Sequence, residues 1–464
     1  MIHMEKHKVC IIGAGIGGLT AGALLVKQGY AVDIYEKELT VGGRAQSLAM
    51  SDQTLQSYTE TLRRFNTGVV FSDPPLPEVF QQNLFKGYTL DLGFHLIGGG
   101  IVAKLREIIP ESFDHIALSS SRLFEQKNSH FGYFVTTRDK ISMLPNILRL
   151  LSSGEKTMKA LDSVPMSETI VKYGKGKMRD VLELNPRLIT TINDLALIST
   201  GEVFRTQKDM RLAGVFYPQH GLVTVCESLA SFIKANGGTI QLGTPVEKIH
   251  IEDRQAKSVE AGGSLHEYDL VVSNILVQNL FSLADASQFP SEYVTMMKTL
   301  AGTGSLCAYY ALKRIDPALL GKTFVFVERG LGCEGNDAAG MIDFMTAEPQ
   351  VGLSAPGHFL VQAYIICAPK EATDKRMLQR LREALDKNIR RIIPEYQKDL
   401  EWAIYPATWH LDGVSKTIRN TKPEIQTPVK NLYLIGDCVK ATGIGINCAI
   451  NSARDLSEIL SKKQ

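Results

Sequence analysis

The sequence has little that would mark a nucleic-acid-binding, metal-binding or disulfide-bonded protein. Its 464 residues carry a net charge of only +2, so no basic surface for nucleic acid is expected. The seven cysteines are odd in number, and no two of them are spaced as Cys-x-x-C. A zinc cluster or a redox-active disulfide is therefore not expected, and buried thiols in a reducing compartment fit better. We expect neither a nucleic-acid partner nor a metal site.

Long apolar segments are also scarce. One uncharged run extends from Val9 to Val26, which taken alone would suggest a signal peptide or a membrane span. Five of its eighteen residues are glycines, with the spacing of a phosphate-binding turn. We therefore expect a cytoplasmic protein without a cleaved signal, whose contact with a membrane, if it has one, is peripheral.

The remaining composition is that of an ordinary globular protein, with 44% hydrophobic and 22% charged residues. The chain is longer than one typical domain, which predicts two domains or one large composite. Residues 141–210 have a helical pattern, and residues 300–370 have the pattern of strands and turns. A long amphipathic helix is predicted over 375–393.

The N-terminal region has the pattern of a dinucleotide-binding unit. A buried strand over 8–12 leads into Gly13-x-Gly15-x-x-Gly18, and a helix and a second strand over 31–35 follow. Gly13 permits a tight turn, Gly15 lets the backbone approach a pyrophosphate, and Gly18 lets helix and strand pack closely. The N–H groups at the helix N-terminus then face the phosphates. Glu36 ends the second strand, where a carboxylate binds ribose hydroxyls and disfavours the 2′-phosphate of NADP.

Three further segments carry a resemblance to a known family. Gly42-Gly43-Arg44 follows the first unit, Pro245-Val246-Glu247-Lys248-Ile249 lies mid-chain, and Asn431 to Asp437 precedes Gly443-Ile444-Gly445. Together with the first unit they resemble the FAD-dependent amine oxidase and phytoene desaturase superfamily, from about residue 8 to residue 460.

The resemblance implies an α/β fold in which a Rossmann-like FAD-binding domain is interleaved with an α+β substrate domain. The FAD-binding domain would comprise 1–100, 212–275 and 415–464, with an insertion at about 48–86. The substrate domain would comprise 101–211 and 276–414.

The resemblance also implies a set of FAD-binding residues. Arg44 would approach the pyrophosphate, the backbone of Val246 would hold the adenine end, and Asp437 would meet the ribityl-pyrophosphate region. The helix beginning near Gly445 would direct its N-terminus at the flavin pyrimidine edge, where reduction leaves negative charge. The full set is Gly13, Gly15, Ile16, Gly17, Gly18, Glu36, Lys37, Gly43, Arg44, Gly93, Val246, Gly436, Asp437, Gly445 and Ile446. FAD would be noncovalent, because no His or Cys lies in a recognisable flavin-attachment motif.

The sequence identifies no catalytic residue. His95 follows the flavin-proximal Gly93, and Trp409-His410 precedes the last FAD segment, so these three residues are the candidates. For each of them, however, a structural role is the favoured interpretation. No lysine stands where many amine oxidases place one over the flavin, and His220 occupies a position where the family often has glycine.

The segment 48–86 departs from the family pattern because the family's connection there is much shorter. It has no clear period and contains four phenylalanines, three prolines and the pair Arg63-Arg64. It could be a lid, a membrane-contacting flap, a dimer arm or a surface excursion. Our hypothesis is that it flanks the substrate entrance and helps the protein to meet an apolar phase.

Three functions remain open. The first is an FAD oxidoreductase of the phytoene desaturase, carotenoid isomerase or retinol saturase type, acting on an apolar polyene or isoprenoid. The second is an amine oxidase or protoporphyrinogen oxidase, and the third is a non-catalytic prenyl or lipid carrier similar to the GDP-dissociation inhibitors. The expected partner is an apolar small molecule, and the chain would be a monomer or a homodimer.

Overall fold

The computed structural model describes residues 7–93, 96–110, 118–127, 130–133, 136–152, 154–209, 215–418 and 422–462. Its strands are β1 Lys8–Ile12, β2 Ala31–Tyr35, β3 Ser47–Ala49, β4 Thr67–Asp73, β5 Thr89–Asp91, β6 Ile97–Gly98, β7 Leu118–Lys127, β8 His130–Tyr133, β9 Val215–Pro218, β10 Thr239–Gln241, β11 Val246–Glu252, β12 Gln255–Ala261, β13 Ser264–Glu267, β14 Leu270–Ser273, β15 Gly304–Leu312, β16 Lys322–Glu328, β17 Ala338–Asp343, β18 Phe359–Cys367, β19 Leu400–Thr408 and β20 Leu432–Leu434. Its α-helices are α1 Ile16–Lys27, α2 Leu55–Arg64, α3 Leu76–Gln81, α4 Gly99–Ile108, α5 Thr137–Leu151, α6 Glu155–Ala160, α7 Met166–Tyr173, α8 Lys177–Thr190, α9 Thr200–Asp209, α10 Val223–Ala235, α11 Ser291–Thr299, α12 Lys375–Ile392, α13 Tyr396–Asp399 and α14 Gly445–Ser461.

The first layer is a parallel sheet whose strand order is β10-β2-β1-β14-β20. Strands from both ends and the middle of the chain therefore lie side by side, as the interleaved α/β fold predicts. Helices α1, α10 and α14 cover the sheet, and their apolar residues join those of β1 in one core. A small antiparallel unit, β11-β12-β13, is attached to this domain.

The second layer is a large mixed sheet with the order β4-β19-β15-β18-β17-β16-β7-β9-β6, to which β8 adds through β7. Alternate residues of its central strand β18 belong to different cores, because successive side chains point to opposite faces of a strand. Val361 and Ile365 pack towards α12, whose residues Leu381 and Leu385 face the sheet. The predicted amphipathic helix and its packing against this domain are thus confirmed.

The segment 48–86 is not the irregular loop that we predicted. It contains α2, β4 and α3, and β4 forms an edge of the large sheet by antiparallel pairing with β19. Phe85 is buried against Trp402, with the ring centroids 4.8 Å apart, and Phe80 packs on Phe85. These rings cover the substrate domain, which removes the compositional reason for placing this segment on lipid.

Two domain boundaries also differ from those predicted. Helix α4 lies in the predicted substrate segment, but Ile101 and Leu105 belong to the core of the parallel sheet. The stretch from Val277 to Leu300 likewise contributes buried residues to that core. Strand β4, in contrast, belongs to the substrate sheet although it precedes residue 100. Within the described residues, no helix is long and apolar enough to cross a membrane.

Candidate functional site

The predicted phosphate-binding turn lies between β1 and α1 at the carboxyl edge of the parallel sheet. Gly13 has a φ of +99°, a conformation that glycine adopts without strain. A Cβ on Gly18 would lie 2.1 Å from the carbonyl oxygen of Gly13, so only glycine allows helix and turn to come this close. The first helical residue is Ile16, and its helix directs unpaired N–H groups into the space beyond the sheet.

This space is a single large cavity of about 1390 Å³. Ligand pockets for drug-sized molecules are commonly about 300–1,000 Å³, so the volume exceeds that needed for one such molecule. The cavity begins at the glycine turn and continues into the substrate domain. The predicted FAD-binding residues that line it are Gly13, Gly15, Ile16, Gly17, Glu36, Lys37, Gly43, Arg44, Val246, Gly436, Asp437, Gly445 and Ile446.

Glu36 is held in place by the backbone around it. Its Oε2 accepts a hydrogen bond from the N–H of Ala14 at 2.6 Å, and its Oε1 accepts one from the N–H of Glu38 at 2.9 Å. Burial raises the pKa of Glu36, while these two hydrogen bonds oppose the increase. Each carboxylate oxygen has a second lone pair that remains available to a ribose hydroxyl.

Arg44 and Asp437 form a partly buried ion pair at the other side of the turn. Nη2 of Arg44 donates to Oδ1 of Asp437 at 2.6 Å, and the N–H of Gly413 donates to Oδ2 at 2.8 Å. Burial by itself would raise the pKa of Asp437, but the charge and hydrogen bond of Arg44 outweigh burial and lower it to about 2. Nη1 of Arg44 also donates to the carbonyl oxygen of Leu411 at 3.0 Å. The ion pair therefore ties the Gly42-Gly43-Arg44 turn to the C-terminal segment.

These features fit a bound dinucleotide. Glycines without side chains line the cavity at the N-terminus of α1, and a second helix N-terminus, that of α14, opens into the same cavity at Gly445 and Ile446. Two helix N-termini present positive dipole ends, which suit a pyrophosphate and a ring system that becomes negative on reduction. Glu36 stands where a ribose would be bound. The donor set therefore matches FAD.

Other predicted residues lie outside the cavity wall. Gly18 serves helix packing, and the carbonyl of Gly93 accepts a hydrogen bond from the hydroxyl of Tyr309 at 3.2 Å. Trp409 packs on the core shared with α12. The carbonyl oxygen of His410 accepts a hydrogen bond from Arg44, and burial together with Arg44 lowers the pKa of the imidazole. The contact with Arg44 is thus made by the backbone of His410, whereas Nδ1 of its imidazole is buried and has no hydrogen-bond partner among the described residues.

Two of the remaining sequence expectations concern histidines. His95 lies outside the described residues. His220 has a φ of +62°, which is the left-handed conformation that would explain glycine at this position in relatives.

Sequence reasoning missed several residues of the cavity wall. Asn274 follows β14 directly, and its Nδ2 donates to the carbonyl oxygen of Gly13 at 3.4 Å. A polar residue at the carboxyl end of a strand next to β1 could have been found from the strand pattern alone. Asp412 and Thr191 could not have been found from the sequence in this way, since they meet only through the folding of the substrate domain. Arg64 lines the cavity and forms an ion pair with Glu38, 3.1 Å from Nε to Oε2.

The substrate domain contributes both apolar and polar side chains to the cavity wall. The apolar ones include Leu188, Ile189, Phe216, Met341 and Tyr364, which come from α8, β9, β17 and β18, and the polar ones include Asn185, Thr191, Thr206 and Gln207. Phe65, from the segment 48–86, also reaches the wall. Among the residues that the structure describes, no group of three or more His, Cys, Asp or Glu side chains is arranged to hold a metal ion.

Comparison with known proteins supports the assignment of the cofactor. A family model described as flavin containing amine oxidoreductase matches residues 16–460. The 1-hydroxycarotenoid 3,4-desaturase of Flavobacterium sp. (strain P99-3) is 22% identical over 342 residues, which are 67% of this chain and 65% of that protein. The 4,4'-diapophytoene desaturase (4,4'-diapolycopene-forming) of Methylomonas sp. is 24% identical over 303 residues, 58% of this chain and 53% of that protein. The chain thus spans between about half and two thirds of the length of these relatives.

Solved structures share the fold over nearly the whole chain. An oxidoreductase from Methanosarcina mazei has a TM-score of 0.68 at 20% identity and covers 97% of this chain and 100% of its own. RAB GDI from Plasmodium falciparum has a TM-score of 0.55 at 13% identity and covers 98% of each chain. At such identities the likeness shows the fold alone. Because the family model spans the chain from the glycine turn to α14, the protein belongs to the flavin-containing amine oxidoreductase family, and its cofactor is FAD.

Proposed function

We propose that the protein is an FAD-dependent oxidoreductase acting on a C–C bond of an apolar polyene or isoprenoid. The observation that carries the proposal is the continuity of the cavity. It runs without interruption from the glycine turn to the apolar wall formed by Leu188, Phe216 and Met341. An elongated apolar molecule in this part would lie next to the cofactor, and the two curated relatives are named as desaturases of a 1-hydroxycarotenoid and of 4,4'-diapophytoene.

Bound FAD supplies hydride exchange at its flavin ring. The chain contributes position and electrostatics. The apolar wall removes water from the substrate, and orientation of the reacting bond supplies much of the rate. Glu36 and Arg44 anchor the cofactor away from the substrate, and the N-terminus of α14 favours the negative charge that arrives with a hydride.

The test uses purified protein with its bound cofactor. We expect the protein to be yellow and the flavin to be released by acid precipitation, as noncovalent binding requires. Anaerobic addition of candidate polyenes should bleach the flavin absorbance, and mass spectrometry should show a change of two hydrogens in the polyene. Bleaching by a primary amine but by no polyene would contradict the proposed substrate class.

A matched pair of variants tests the apolar wall. Leu188→Glu places a charge in the cavity and should abolish flavin reduction by a polyene while FAD content stays unchanged. Val171→Glu introduces the same charge at an exposed position of the neighbouring helix α7 and should behave as wild type. Equal activity of the two variants would place the substrate elsewhere.

We also propose that the substrate reaches the cavity from a lipid surface through α5. The first residue of this helix, Thr137, lines the cavity, and Ile141, Leu144 and Leu148 are exposed on one face of it. Residues 137–159 contain five basic and two acidic side chains, which suits an anionic bilayer.

Sedimentation with vesicles that contain phosphatidylglycerol tests this route. Wild type should sediment with them, and the double variant Leu144→Ser, Leu148→Ser should not. The control is Leu39→Ser, Leu265→Ser, which removes two leucines of the FAD-binding domain that are more exposed than the test pair. Wild-type protein that stays in the supernatant would refute the route.

A further inference from the structure

The direction in which the cofactor lies follows from the order of strands. Glu36 follows β2 and Val246 begins β11, and both lie at the β2 side of the parallel sheet. A dinucleotide bound across the carboxyl ends of the strands, with its adenosine at this side, extends over β1 and β14 towards β20. Its other half is therefore placed beside the residues after β20, the N-terminus of α14 and the substrate domain.

One carboxyl group of the cavity wall lies at this end and has no part in the binding described so far. Asp412 is only 4% exposed, and its Oδ2 accepts a hydrogen bond from the hydroxyl of Thr191 at 2.9 Å. Its Oδ1 lies 3.1 Å from the position that a Cβ on Gly445 would occupy. The backbone N–H of Asp412 donates to Oγ1 of Thr303 at 3.0 Å. The carboxyl is thus fixed between the substrate domain and the first residue of α14.

The charges around Asp412 come from several elements. Arg44 and Lys422 are the cations, Asp437 is the neighbouring anion, and Tyr364 faces the group from β18. Arg44 is bonded to Asp437, and Nζ of Lys422 donates to the carbonyl oxygen of Asp437 at 2.5 Å. In the described part of the chain, no cation lies within ion-pair distance of Asp412.

The two neighbouring carboxyl groups therefore differ in their affinity for a proton. Asp437 stays ionised because Arg44 is bonded to it. Burial, followed by repulsion from Asp437, raises the pKa of Asp412 to about 6. Asp412 is the member of the pair that exchanges a proton near neutral pH.

We propose that Asp412 takes up a proton when the cofactor is reduced and so compensates the negative charge of the reduced ring. The proposal rests on the proposed function, since it requires a redox-active FAD in this cavity. The balance is simple. A hydride leaves a substrate C–H bond with both of its electrons and adds one negative charge to the ring system, and the adjacent substrate carbon releases a proton to the solvent as the C=C bond forms. One proton from the solvent converts the Asp412 carboxylate to the acid, so that charge and hydrogen atoms balance.

The physical reason is the competition of two negative charges for one positive helix end. In the oxidised state, the N-terminus of α14 stabilises the carboxylate of Asp412. In the reduced state, the ring carries the charge at the same place, and two anions in a poorly solvated site repel each other strongly. Protonation of Asp412 removes this repulsion, so reduction and proton uptake are linked.

The experiment is a redox titration of the bound FAD, without substrate, from pH 5 to pH 8. Above about pH 6 the wild-type midpoint potential should fall more steeply with pH than that of Asp412→Asn. Uptake of one additional proton per two electrons changes the equilibrium constant of reduction tenfold per pH unit. The midpoint potential of the wild type should therefore fall by about 30 mV more per pH unit than that of the variant. The two potentials should coincide at low pH, and the variant should be the more positive at high pH, because it lacks the anion.

The control is Asp343→Asn. Asp343 is fully buried and has a pKa raised to about 6 by burial, but it lies in the large sheet and does not line the cavity. Its replacement should leave the slope of the wild type unchanged. Equal slopes of wild type and Asp412→Asn, or the same change in both variants, would overturn the proposal.

A second variant covers the case in which Asp412→Asn loses FAD. Thr191→Ala removes a hydrogen bond that stabilises the carboxylate, so the steeper part of the curve should begin at a higher pH. An unchanged curve would overturn the proposal. Failure of this proposal can be distinguished from failure of the proposed function. FAD-bound protein that reacts with no polyene still gives this titration, whereas protein that binds no FAD refutes the proposed function itself.

Discussion

Replacement of Glu36 by glutamine tests the cofactor site with one atom changed. The carboxylate accepts two backbone N–H groups and faces the cavity with its remaining lone pairs. Glutamine keeps one acceptor oxygen but directs an NH₂ group towards the other N–H. FAD then loses a hydrogen bond to a charged acceptor, which contributes about 1.5–3 kcal/mol and corresponds to about a 10- to 100-fold weaker Kd.

The assay is a titration of FAD-depleted protein with FAD, followed by the quenching of flavin fluorescence. Unfolding has to be measured as well, because the orphaned N–H group costs the variant about 1–3 kcal/mol of stability. Asp33→Asn is the matched control. It removes one charge from the same strand, but its carboxylate bonds Thr239 and Tyr268 outside the cavity, so FAD affinity should not change.

The pH dependence adds a second criterion. Because burial raises the pKa of Glu36, wild-type affinity should decrease on acidification at a higher pH than for an ordinary glutamate, while Glu36→Gln shows no such decrease. A folded glutamine variant that binds FAD as tightly as wild type would refute the contact between Glu36 and the ribose.

The other predictions concern the stability of the protein and its binding of FAD. Phe85→Ala should destabilise the protein by about 3–5 kcal/mol in chemical unfolding, since the ring is buried on Trp402, whereas Leu39→Ala at an 81% exposed position should change stability by less than about 0.5 kcal/mol. A small effect of Phe85→Ala would show that the segment 48–86 does not pack as described. Asp343 is stabilising when protonated, and this contribution is lost as pH rises from the ordinary aspartate range through about 6, so Asp343→Asn should gain about 2 kcal/mol relative to wild type between pH 4 and pH 7. An unchanged difference across this range would refute the raised pKa. Gly18→Ala should abolish FAD binding because its Cβ would overlap the carbonyl of Gly13, and retention of the flavin colour would contradict this.

The regular elements with strong local signals could be predicted from the sequence. Strand β1 and strand β2 have the predicted bounds, the helix at 375–392 ends within one residue of the predicted end, and the last helix begins at Gly445 as predicted. In each case the signal is local: it is either the apolar period within the element or a glycine directly next to its end. The dinucleotide motif is local in the same sense, and five of its residues line the cavity, namely Gly13, Gly15, Ile16, Gly17 and Glu36. The predicted lining residues of the later segments came from the resemblance to the family.

The remaining features depend on contacts between distant parts of the chain. The sequence of strand β4 has no apolar period that would identify it as a strand. Its strand structure is stabilised by pairing with β19, more than 300 residues later. Asp412 is a site residue only because Thr191 and Gly445 are brought to it by different domains. The exposed leucines of α5 have the helical period expected of a buried face, and periodicity alone cannot distinguish a face that packs on protein from one that does not.

The position of β20 in the parallel sheet has a consequence for biosynthesis. This strand, which pairs with β14, and helix α14, which packs on α1, are contributed by residues 432–461. During translation, the glycine turn leaves the ribosome more than 400 residues before the segment that completes its site. The nascent chain therefore exposes an unpaired edge of β14 and the uncovered face of α1 until residues 432–461 have been synthesised. FAD added to cells can stabilise the released protein, but it cannot assist the early part of its folding.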